Sequence, residues 1–265
     1  MQQAQDFLDE SEALHAILAG LDEAEFDQES AFKGWTINQI LRHLHVWNIA
    51  ADLSLTDQAA FPALVATLFS GGRSGPMPQA EAAYLNGLSG PALLTAWIGG
   101  AQATAAHFAS ADPKARLKWV GPDMSAISSI SARLMESWAH GQAVYDMLGL
   151  DRADTDRIGN IARLGVNTFG WNYQTRKMSV PDALPYVRLI APSGAVWEYG
   201  PPDDIERIEG SATEFCQVVT QTRNIADTAL RVTGAVATEW MGMAQCFAGP
   251  PNDPPAPGTR IKRRA

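Results

Sequence analysis

The chain has 265 residues, of which 46% are hydrophobic and 18% charged, and its formal net charge is −9. This composition is typical of a globular protein with a large core and room for two domains. The acidic balance excludes nucleic acid as a partner, because no basic stripe is available to neutralise phosphates. No run of about 18 apolar residues occurs, which excludes a membrane span. The first residues lack a signal-peptide pattern and the two cysteines form no C-x-x-C motif, so we expect a cytoplasmic protein with free thiols.

Apolar periodicity predicts helices through most of the first 150 residues. Thr36 is a favourable N-cap for one of them, and Pro91 suits the start of another. The glycine-rich segment Gly71–Pro76 predicts a break. The predicted segments are helices at 6–21, 37–55, 61–69, 79–88, 91–108 and 125–149, with a loop or short extended piece at 117–124.

The sequence changes in character after Gly149. Alternating apolar residues predict short strands between helices, and therefore a small antiparallel sheet in an α+β arrangement. The predicted segments are a helix at 158–173, strands at 185–191, 195–199 and 204–208, and helices at 212–223 and from 236 or 238 to 247. Residues 251–265 are proline-rich and basic, which predicts a disordered tail. We therefore predict a helical domain at 1–150, an α+β domain at 151–250 and a tail at 251–265.

Glu136 and His140 stand four residues apart in a segment predicted to be helical. Residues i and i+4 share one helical face, so a divalent metal can take an oxygen from one and a nitrogen from the other without backbone strain. A third donor has to come from another segment, and His43 in the second predicted helix is the best candidate. Three protein ligands would leave coordination positions open for water or substrate.

A Glu and a His at this spacing also have a simpler interpretation. Such pairs are common on solvated helices, where they contribute little energy. Here Leu134, Met135 and Trp138 surround the pair, and a buried carboxylate needs a partner. A buried structural pair is therefore the alternative to a metal site.

Four other residues near this helix are candidates for substrate binding. Arg133 lies one turn before Glu136 and suits an anion, with an ion pair to a nearby acid as the alternative. Gln142 offers a hydrogen-bonding side chain to substrate. Trp119 and Met124 precede the helix and are candidates for the wall of a pocket, or simply for packing.

His45 and Arg223 are less certain from sequence alone. His45 is two residues beyond His43, which places it about 200° around the helix, so it should face away from the metal. A supporting role beside the ligands is the option that stays open for it. Arg223 follows an apolar helix, where an arginine is favourable to the helix dipole, so the local sequence indicates a structural role.

Four segments carry a resemblance to a known family. They are residues 34–44 (GWTI through HL), 132–142 (ARLMESWAHGQ), 214–223 (EFC through QTR) and 244–251 (AQCFAGPP). With these motifs the chain resembles the DinB-like metal-binding superfamily, in the branch of mycothiol-dependent maleylpyruvate isomerase. The last segment is similar to an uncharacterised metal-binding subgroup of that branch. The resemblance runs from about Leu8 to Pro251.

The resemblance implies a fold and a set of site residues. It implies a DinB-like four-helix bundle followed by a small α+β domain like a sterol carrier protein. In the family the histidine of the HL motif and the Glu-x-x-x-His pair hold the metal, which implies His43, Glu136 and His140 as ligands. It also implies a catalytic role for Arg223, as a carboxylate clamp in the cleft between domains. The chain departs from the subgroup at Ala143, where relatives usually carry Asp, so the role of that Asp is moved or lost.

The resemblance further implies a metal-dependent enzyme that acts on a small carboxylate-bearing metabolite. Zn²⁺ suits imidazole and carboxylate donors, and Fe, Ni or Co are compatible with them. In the family a low-molecular-weight thiol such as mycothiol is the co-substrate, in cis–trans isomerisation or in S-transfer. Two other classes stay open: a metal-dependent hydrolase, hydratase or lyase that uses no thiol, and a non-enzymatic binding module with a structural metal.

Overall fold

The amino-terminal half of the chain is helical. The structure is a computed structural model that describes residues 1–70 and 77–263. All six helices predicted for this half are confirmed there, whereas the break predicted at Gly71–Pro76 lies outside the described residues. These helices are α1 (Gln2–Leu18), α2 (Ile37–Thr56), α3 (Phe61–Leu68), α4 (Met77–Tyr84), α5 (Gly90–Ser110) and α6 (Ala126–Leu148).

Helix α2 begins with a reciprocal pair of hydrogen bonds. The Thr36 hydroxyl accepts from the Gln39 backbone N–H at 3.2 Å, and the Gln39 side-chain oxygen accepts from the Thr36 N–H at 2.9 Å. This capping box satisfies two backbone donors that the first turn of a helix leaves open. It confirms Thr36 as the predicted N-cap and fixes where α2 starts.

The four long helices share one apolar core. Phe7 of α1, Ala51 of α2, Phe108 of α5 and Leu134 of α6 belong to a single cluster of buried side chains. Burial of such side chains is the main stabilising contribution to a helical bundle, because each helix can cover its apolar face only against the others. The core therefore holds α2 and α6 in fixed positions, and these are the helices that carry the predicted ligands.

A short hairpin precedes α6. Strand β1 (Arg116–Leu117) pairs antiparallel with β2 (Met124–Ser125), so the segment predicted as a loop or extended piece at 117–124 contains one residue of each strand. The Ser54 hydroxyl of α2 donates to the Lys118 carbonyl, which ties the hairpin to α2.

The chain divides into two compact units, Met1–Val144 and Tyr145–Ala265. The division falls inside α6, whereas the sequence predicted a boundary at residue 150, where the helix stops. The signals in a sequence mark the ends of elements, but packing decides to which unit the last residues of a helix belong.

The second unit combines helices with a four-stranded sheet, which confirms the α+β class for the chain as a whole; the likeness to a sterol carrier protein stays a prediction. Its elements are α7 (Gly159–Asn167), α8 (Phe169–Thr175), β3 (Tyr186–Ile190), β4 (Val196–Tyr199), β5 (Arg207–Ser211), α9 (Ala212–Val219), β6 (Arg231–Thr233) and α10 (Ala235–Met243).

The prediction of a wholly antiparallel sheet is wrong. The strand order is β4-β3-β5-β6, and β3 pairs with β5 in parallel. The chain leaves β4 and crosses to the far side of β3, so β5 runs in the same direction as β3. The alternation of side chains predicts strands but carries no information on which neighbour a strand takes.

Two local predictions for this unit need correction, and one strand was not predicted. The third strand was predicted at 204–208 and is found at Arg207–Ser211, and β6 was missed because its three residues are too short for an alternation signal. The helix predicted at 158–173 is two helices. The Thr168 hydroxyl donates to the carbonyl of Leu164 at 2.9 Å, a local bond that competes with the helical ladder where α7 ends.

The tail predicted as disordered has defined partners in the second unit. Backbone carbonyls of Asn252 and Pro255 accept hydrogen bonds from the side chains of Gln221 and Asn224, at 2.8 Å in both cases. The Arg260 guanidinium donates to the Gln221 carbonyl at 2.6 Å. Proline-rich composition predicted disorder because it removes backbone donors, but side chains of the second unit satisfy the carbonyls that remain.

Among the described residues, no helix has both the length and the apolar character that crossing a membrane requires.

Candidate metal centre

Helix α6 carries Glu136 and His140 on one face, as the spacing predicted. The His140 Nε2 atom lies 3.2 Å from Glu136 Oε2. The neighbours Leu134, Met135 and Trp138 are buried in the core of the first unit. The pair therefore stands on a rigid, buried helix and not on a solvated surface, which favours a defined site over a weak surface pair.

Helix α2 brings His43 to this pair. Its Nε2 atom lies 3.7 Å from Glu136 Oε2, and one ligand atom from each of His43, Glu136 and His140 lies within 4.8 Å of the others. The three side chains predicted as ligands are thus brought together, although 93 residues separate His43 from Glu136 in the chain. Two imidazoles and one carboxylate form a donor set that fits Zn²⁺ and other divalent transition metals.

Two aromatic rings enclose His140. The Trp35 ring lies parallel to the imidazole, with ring planes 6° apart and centroids 5.8 Å apart, and Phe32 meets the same ring edge-on at 4.9 Å. A tight turn presents both rings, because Lys33 and Gly34 adopt positive φ angles of 54° and 69°. Trp35 was predicted only as part of a motif, and Phe32 was not predicted; the signal for Phe32 is its place just before that motif.

Glu81 of α4 contacts the Nδ1 side of His43, and this residue was not predicted from the sequence. Its Oε1 atom lies 2.7 Å from His43 Nδ1 and accepts a hydrogen bond from the Trp47 indole N–H at 3.0 Å. The Glu81 side chain is fully buried. The available signal was a single acid within a short, otherwise uncharged helix, and a buried acid of this kind needs a partner.

Opposing effects set the charge of His43. Burial lowers its pKa, but the carboxylates of Glu81 and Glu136 outweigh burial and raise the pKa to about 9. Without a cation, His43 is therefore protonated at neutral pH.

His140 and Glu136 shift in the direction that suits metal ligands. Burial lowers the pKa of His140, and the positive charge of His43 lowers it further, so His140 is neutral at pH 7. Burial would raise the pKa of Glu136, but the hydrogen bond from His140 and the nearby imidazole of His43 outweigh burial and hold that pKa well below its usual range. A neutral imidazole and an ionised carboxylate are the forms that bind metals.

Arg133 is buried beside the same carboxylates. Burial lowers the pKa of its guanidinium, while the charges of Glu136 and Glu81 act in the opposite direction. Within the described ranges 1–70 and 77–263, its Nε and Nη2 atoms have no hydrogen-bond partner. A buried guanidinium with open donors is able to bind an anion. The sequence predicted either this role or an ion pair to a nearby acid, and the substrate-binding role of Arg133 stays a prediction.

The remaining candidates of the first unit occupy different places. Trp119 packs against Trp47, and Trp47 in turn packs against His43. The Trp47 ring therefore lies between Trp119 and the predicted ligand His43. Met124 lies in β2, and Gln142 is buried on α6. The substrate-binding roles of these side chains stay predictions.

His45 faces away from the metal site, as helical geometry predicted. Its imidazole is mostly buried and packs against Gly100 of α5. A side-chain Cβ atom at position 100 would lie only 3.0 Å from the imidazole carbon Cε1. The glycine thus makes room for this ring. A role for His45 in support of the ligands stays a prediction.

Arg223 of the second unit forms an ion pair with two hydrogen bonds. Its Nη1 and Nη2 atoms donate to the two carboxylate oxygens of Asp146, at 2.7 and 2.6 Å. Two parallel hydrogen bonds to a carboxylate are the geometry of the clamp that the resemblance implied for Arg223. The carboxylate bound here is that of Asp146 and not that of a substrate. A catalytic role for Arg223 stays a prediction.

Comparison with known proteins bears on what this geometry does. Residues 7–145, which include the three predicted ligands and Glu81, match the family described as "Mycothiol maleylpyruvate isomerase N-terminal domain". The chain belongs to this family. The branch that the GWT, HL and Glu-x-x-x-His motifs indicated is therefore confirmed.

Relatives and solved structures of this family extend the comparison. Two uncharacterized proteins of Mycobacterium tuberculosis, MT0041 and Rv0036c, are each 36% identical to this chain over 246 residues, which is 93% of this chain and 95% of theirs. A crystal structure of the mycothiol-dependent maleylpyruvate isomerase shares the fold with a TM-score of 0.52 and 17% identity, over 82% of this chain and 87% of that chain. A histidine-to-alanine mutant of that enzyme gives a TM-score of 0.50 over the same shares.

Proposed function

We propose that this protein is a metal-dependent enzyme that acts on a small carboxylate-bearing metabolite with a low-molecular-weight thiol, by cis–trans isomerisation or by S-transfer. The observation that carries the proposal is the convergence of His43, Glu136 and His140 within 4.8 Å, in a member of the maleylpyruvate isomerase family. A cytoplasmic location, where such thiols occur, stays a prediction from the sequence.

The donor set supports a catalytic metal over a structural one. Structural zinc sites close with four protein ligands, whereas three leave positions free for reactants. A fourth ligand from His45, two residues beyond His43, would close the site, but this imidazole faces Gly100 instead. A bound divalent cation would act as a Lewis acid and lower the pKa of a thiol or water that it coordinates. Zn²⁺ suits these donors, and Fe, Ni and Co are compatible with them.

The protein's own side chains account for the other requirements of the reaction. Trp35 and Phe32 cover His140 on a face and an edge, which keeps the ring in one orientation and excludes water from that side. Arg133 places a positive charge next to Glu136, where a substrate carboxylate can be held against it. These are positioning and binding roles, and they require no movement of the helices.

The proposed isomerisation balances without any further reactant. The sulfur of the thiolate forms a bond to one carbon of an activated cis double bond, whose electron pair moves onto the activating carbonyl. The resulting single bond rotates, the electrons return, and the carbon–sulfur bond breaks to release the trans product and the thiolate. In S-transfer the adduct instead takes up a proton and leaves as the thioether.

A thiol-dependence assay tests this proposal. Zinc-loaded protein is assayed on cis-enoic acids that carry an activating carbonyl, with mycothiol or another low-molecular-weight thiol and without any thiol. We expect turnover only with thiol, its loss in His140→Ala, and wild-type turnover in His107→Ala, a control at a histidine that pairs with Asp52 at the surface. Turnover by the loaded protein without thiol would contradict the proposal and indicate a hydrolase, hydratase or lyase, and no reaction under either condition would leave a binding protein.

A further inference from the structure

We infer that Glu81 is a positioning residue for the metal: it fixes the ring of His43 through Nδ1, so that Nε2 is the atom presented to the cation. The inference rests on the proposed function, because it takes the three converging side chains to be a metal site. Glu81 would thus be a fourth residue of the site. It binds no metal itself, but it determines how tightly His43 binds the metal.

The contacts of Glu81 are directional. A single oxygen, Oε1, lies 2.7 Å from His43 Nδ1 and 3.0 Å from the Trp47 indole nitrogen. The indole nitrogen is always a donor, so this oxygen acts as an acceptor, and His43 Nδ1 meets it as an N–H donor. In a neutral imidazole with a proton on Nδ1, the lone pair is on Nε2, the atom 3.7 Å from Glu136 Oε2.

The scaffold holds Glu81 in a fixed position beside His43. The residue projects from α4, which packs against α2, and its side chain is fully buried. His43 and Trp47 are four residues apart on α2, so both of their N–H groups face α4 and meet the same carboxylate oxygen. Rigid helices on both sides leave the His43 ring little freedom to turn, which is a requirement for precise ligand geometry.

The charge of Glu81 distinguishes the positioning of His43 from the alternative, in which Glu81 only joins α4 to α2 by hydrogen bonds. A buried carboxylate is costly unless cations offset it. Among the residues that the structure describes, Oε2 of Glu81 has no hydrogen-bond partner, so a neutral glutamine would satisfy the observed contacts of Oε1 equally well. A negative charge behind the imidazole makes the ring a more basic ligand, and it adds to the attraction that Glu136 exerts on a divalent cation.

Zinc affinity measured on a set of matched variants tests the inference. The full-length protein is titrated with Zn²⁺ against a chromogenic chelator, in wild type, Glu81→Gln, Glu81→Ala and Trp47→Phe. The control is Asp52→Asn, which neutralises a carboxylate 2.7 Å from the Nδ1 atom of another histidine, His107, outside the site. Urea unfolding of each metal-free variant reports its stability separately.

We expect Glu81→Gln to weaken zinc binding about 10-fold and Glu81→Ala by up to about 100-fold, the range for residues that orient a metal ligand. Asp52→Asn should bind as wild type does. Trp47→Phe keeps the charge and one hydrogen bond, and should lose stability with little change in affinity. If Glu81→Ala is too unstable to titrate, the near-isosteric Glu81→Gln decides.

Two results would overturn the inference, and they differ in what else they reject. If wild type binds zinc and neither Glu81→Gln nor Glu81→Ala binds it more weakly, Glu81 only joins α4 to α2, and the proposed function stands. If wild type binds no zinc or other divalent cation, the proposed function falls and the role of Glu81 with it.

Discussion

Trp35 lies flat on His140, with the two ring planes 6° apart and the centroids separated by 5.8 Å. The tryptophan comes from the turn before α2 and the histidine from α6, so the stack joins the two helices that carry the predicted ligands. It covers one face of a buried imidazole and leaves the ring nitrogens free for other partners.

The stack predicts the effect of removing the ring. Trp35→Leu should lower the free energy of unfolding of the metal-free protein by about 0.5–1.5 kcal/mol beyond the loss of apolar area, the range for aromatic pairs. Trp171→Leu is the control, because that ring is 37% exposed in the second unit. Chemical denaturation followed by circular dichroism measures both, and equal effects of the two substitutions would argue that the stack contributes nothing specific.

The raised pKa of His43 predicts a pH dependence of folding. Its folded-state pKa of about 9 lies above the ordinary 6.5, so its contribution to stability is complete below pH 6.5 and is lost as the pH rises to about 9. The metal-free protein should lose on the order of 1–3 kcal/mol of stability across this window. The pKa of His140 is lowered, so that residue titrates outside the window.

Urea unfolding at several pH values between 6 and 10 measures this loss, with His43→Gln as the comparison. The variant has no titrating group at this position, and its stability should change much less over the same range. A loss of the same size in His43→Gln would assign the pH dependence to another group.

The open donors of Arg133 predict anion binding. A small dicarboxylate should bind the zinc-loaded protein roughly 10–150-fold more tightly than it binds the loaded Arg133→Met variant, because hydrogen bonds to charged groups contribute about 1.5–3 kcal/mol. Isothermal titration calorimetry measures both affinities. Arg116→Met is the control, since Arg116 is exposed in β1 and donates to the Asp123 carbonyl. Unchanged binding in Arg133→Met would leave Arg133 with a structural role.

The pair between Arg223 and Asp146 predicts a large structural effect. Both side chains are nearly buried, and removal of one partner of such a pair costs about 3–5 kcal/mol. Asp146→Ala should therefore destabilise the protein by that amount, and the double variant with Arg223→Met by less than the sum of the single effects. The exposed pair of Lys262 and Asp151 is the control, and its removal should cost less than about 1 kcal/mol.

Local sequence was sufficient to predict that Glu136 and His140 lie together, because the geometry of this pair is local. Glu136 and His140 share a helical face whatever the helix packs against, and the motif around Trp35 singled out His43. The capping box at Thr36 and Gln39 is likewise a pattern of neighbours. Helices of the first unit follow from the same periodicity, with small shifts at their ends.

Other features depend on packing between distant segments and were missed. Glu81 contacts His43, 38 residues away in the chain, only because α4 packs on α2. The parallel pairing of β3 with β5 arises from a crossover that alternation does not encode. The defined positions of residues 251–263 depend on hydrogen bonds to side chains that lie far from them in the sequence, such as that from Gln221 to the Asn252 carbonyl.

Metal content of the purified protein tests the central claim most directly. Elemental analysis is made on wild type, His140→Ala and the surface control His107→Ala, after equal exposure to Zn²⁺ and removal of the free metal. We predict about one metal per chain in wild type and in His107→Ala, and a loss of metal in His140→Ala, because two of three ligands hold a divalent cation poorly. Metal absent from all three proteins, or retained in His140→Ala, would contradict the assignment and leave Glu136 and His140 as a buried structural pair.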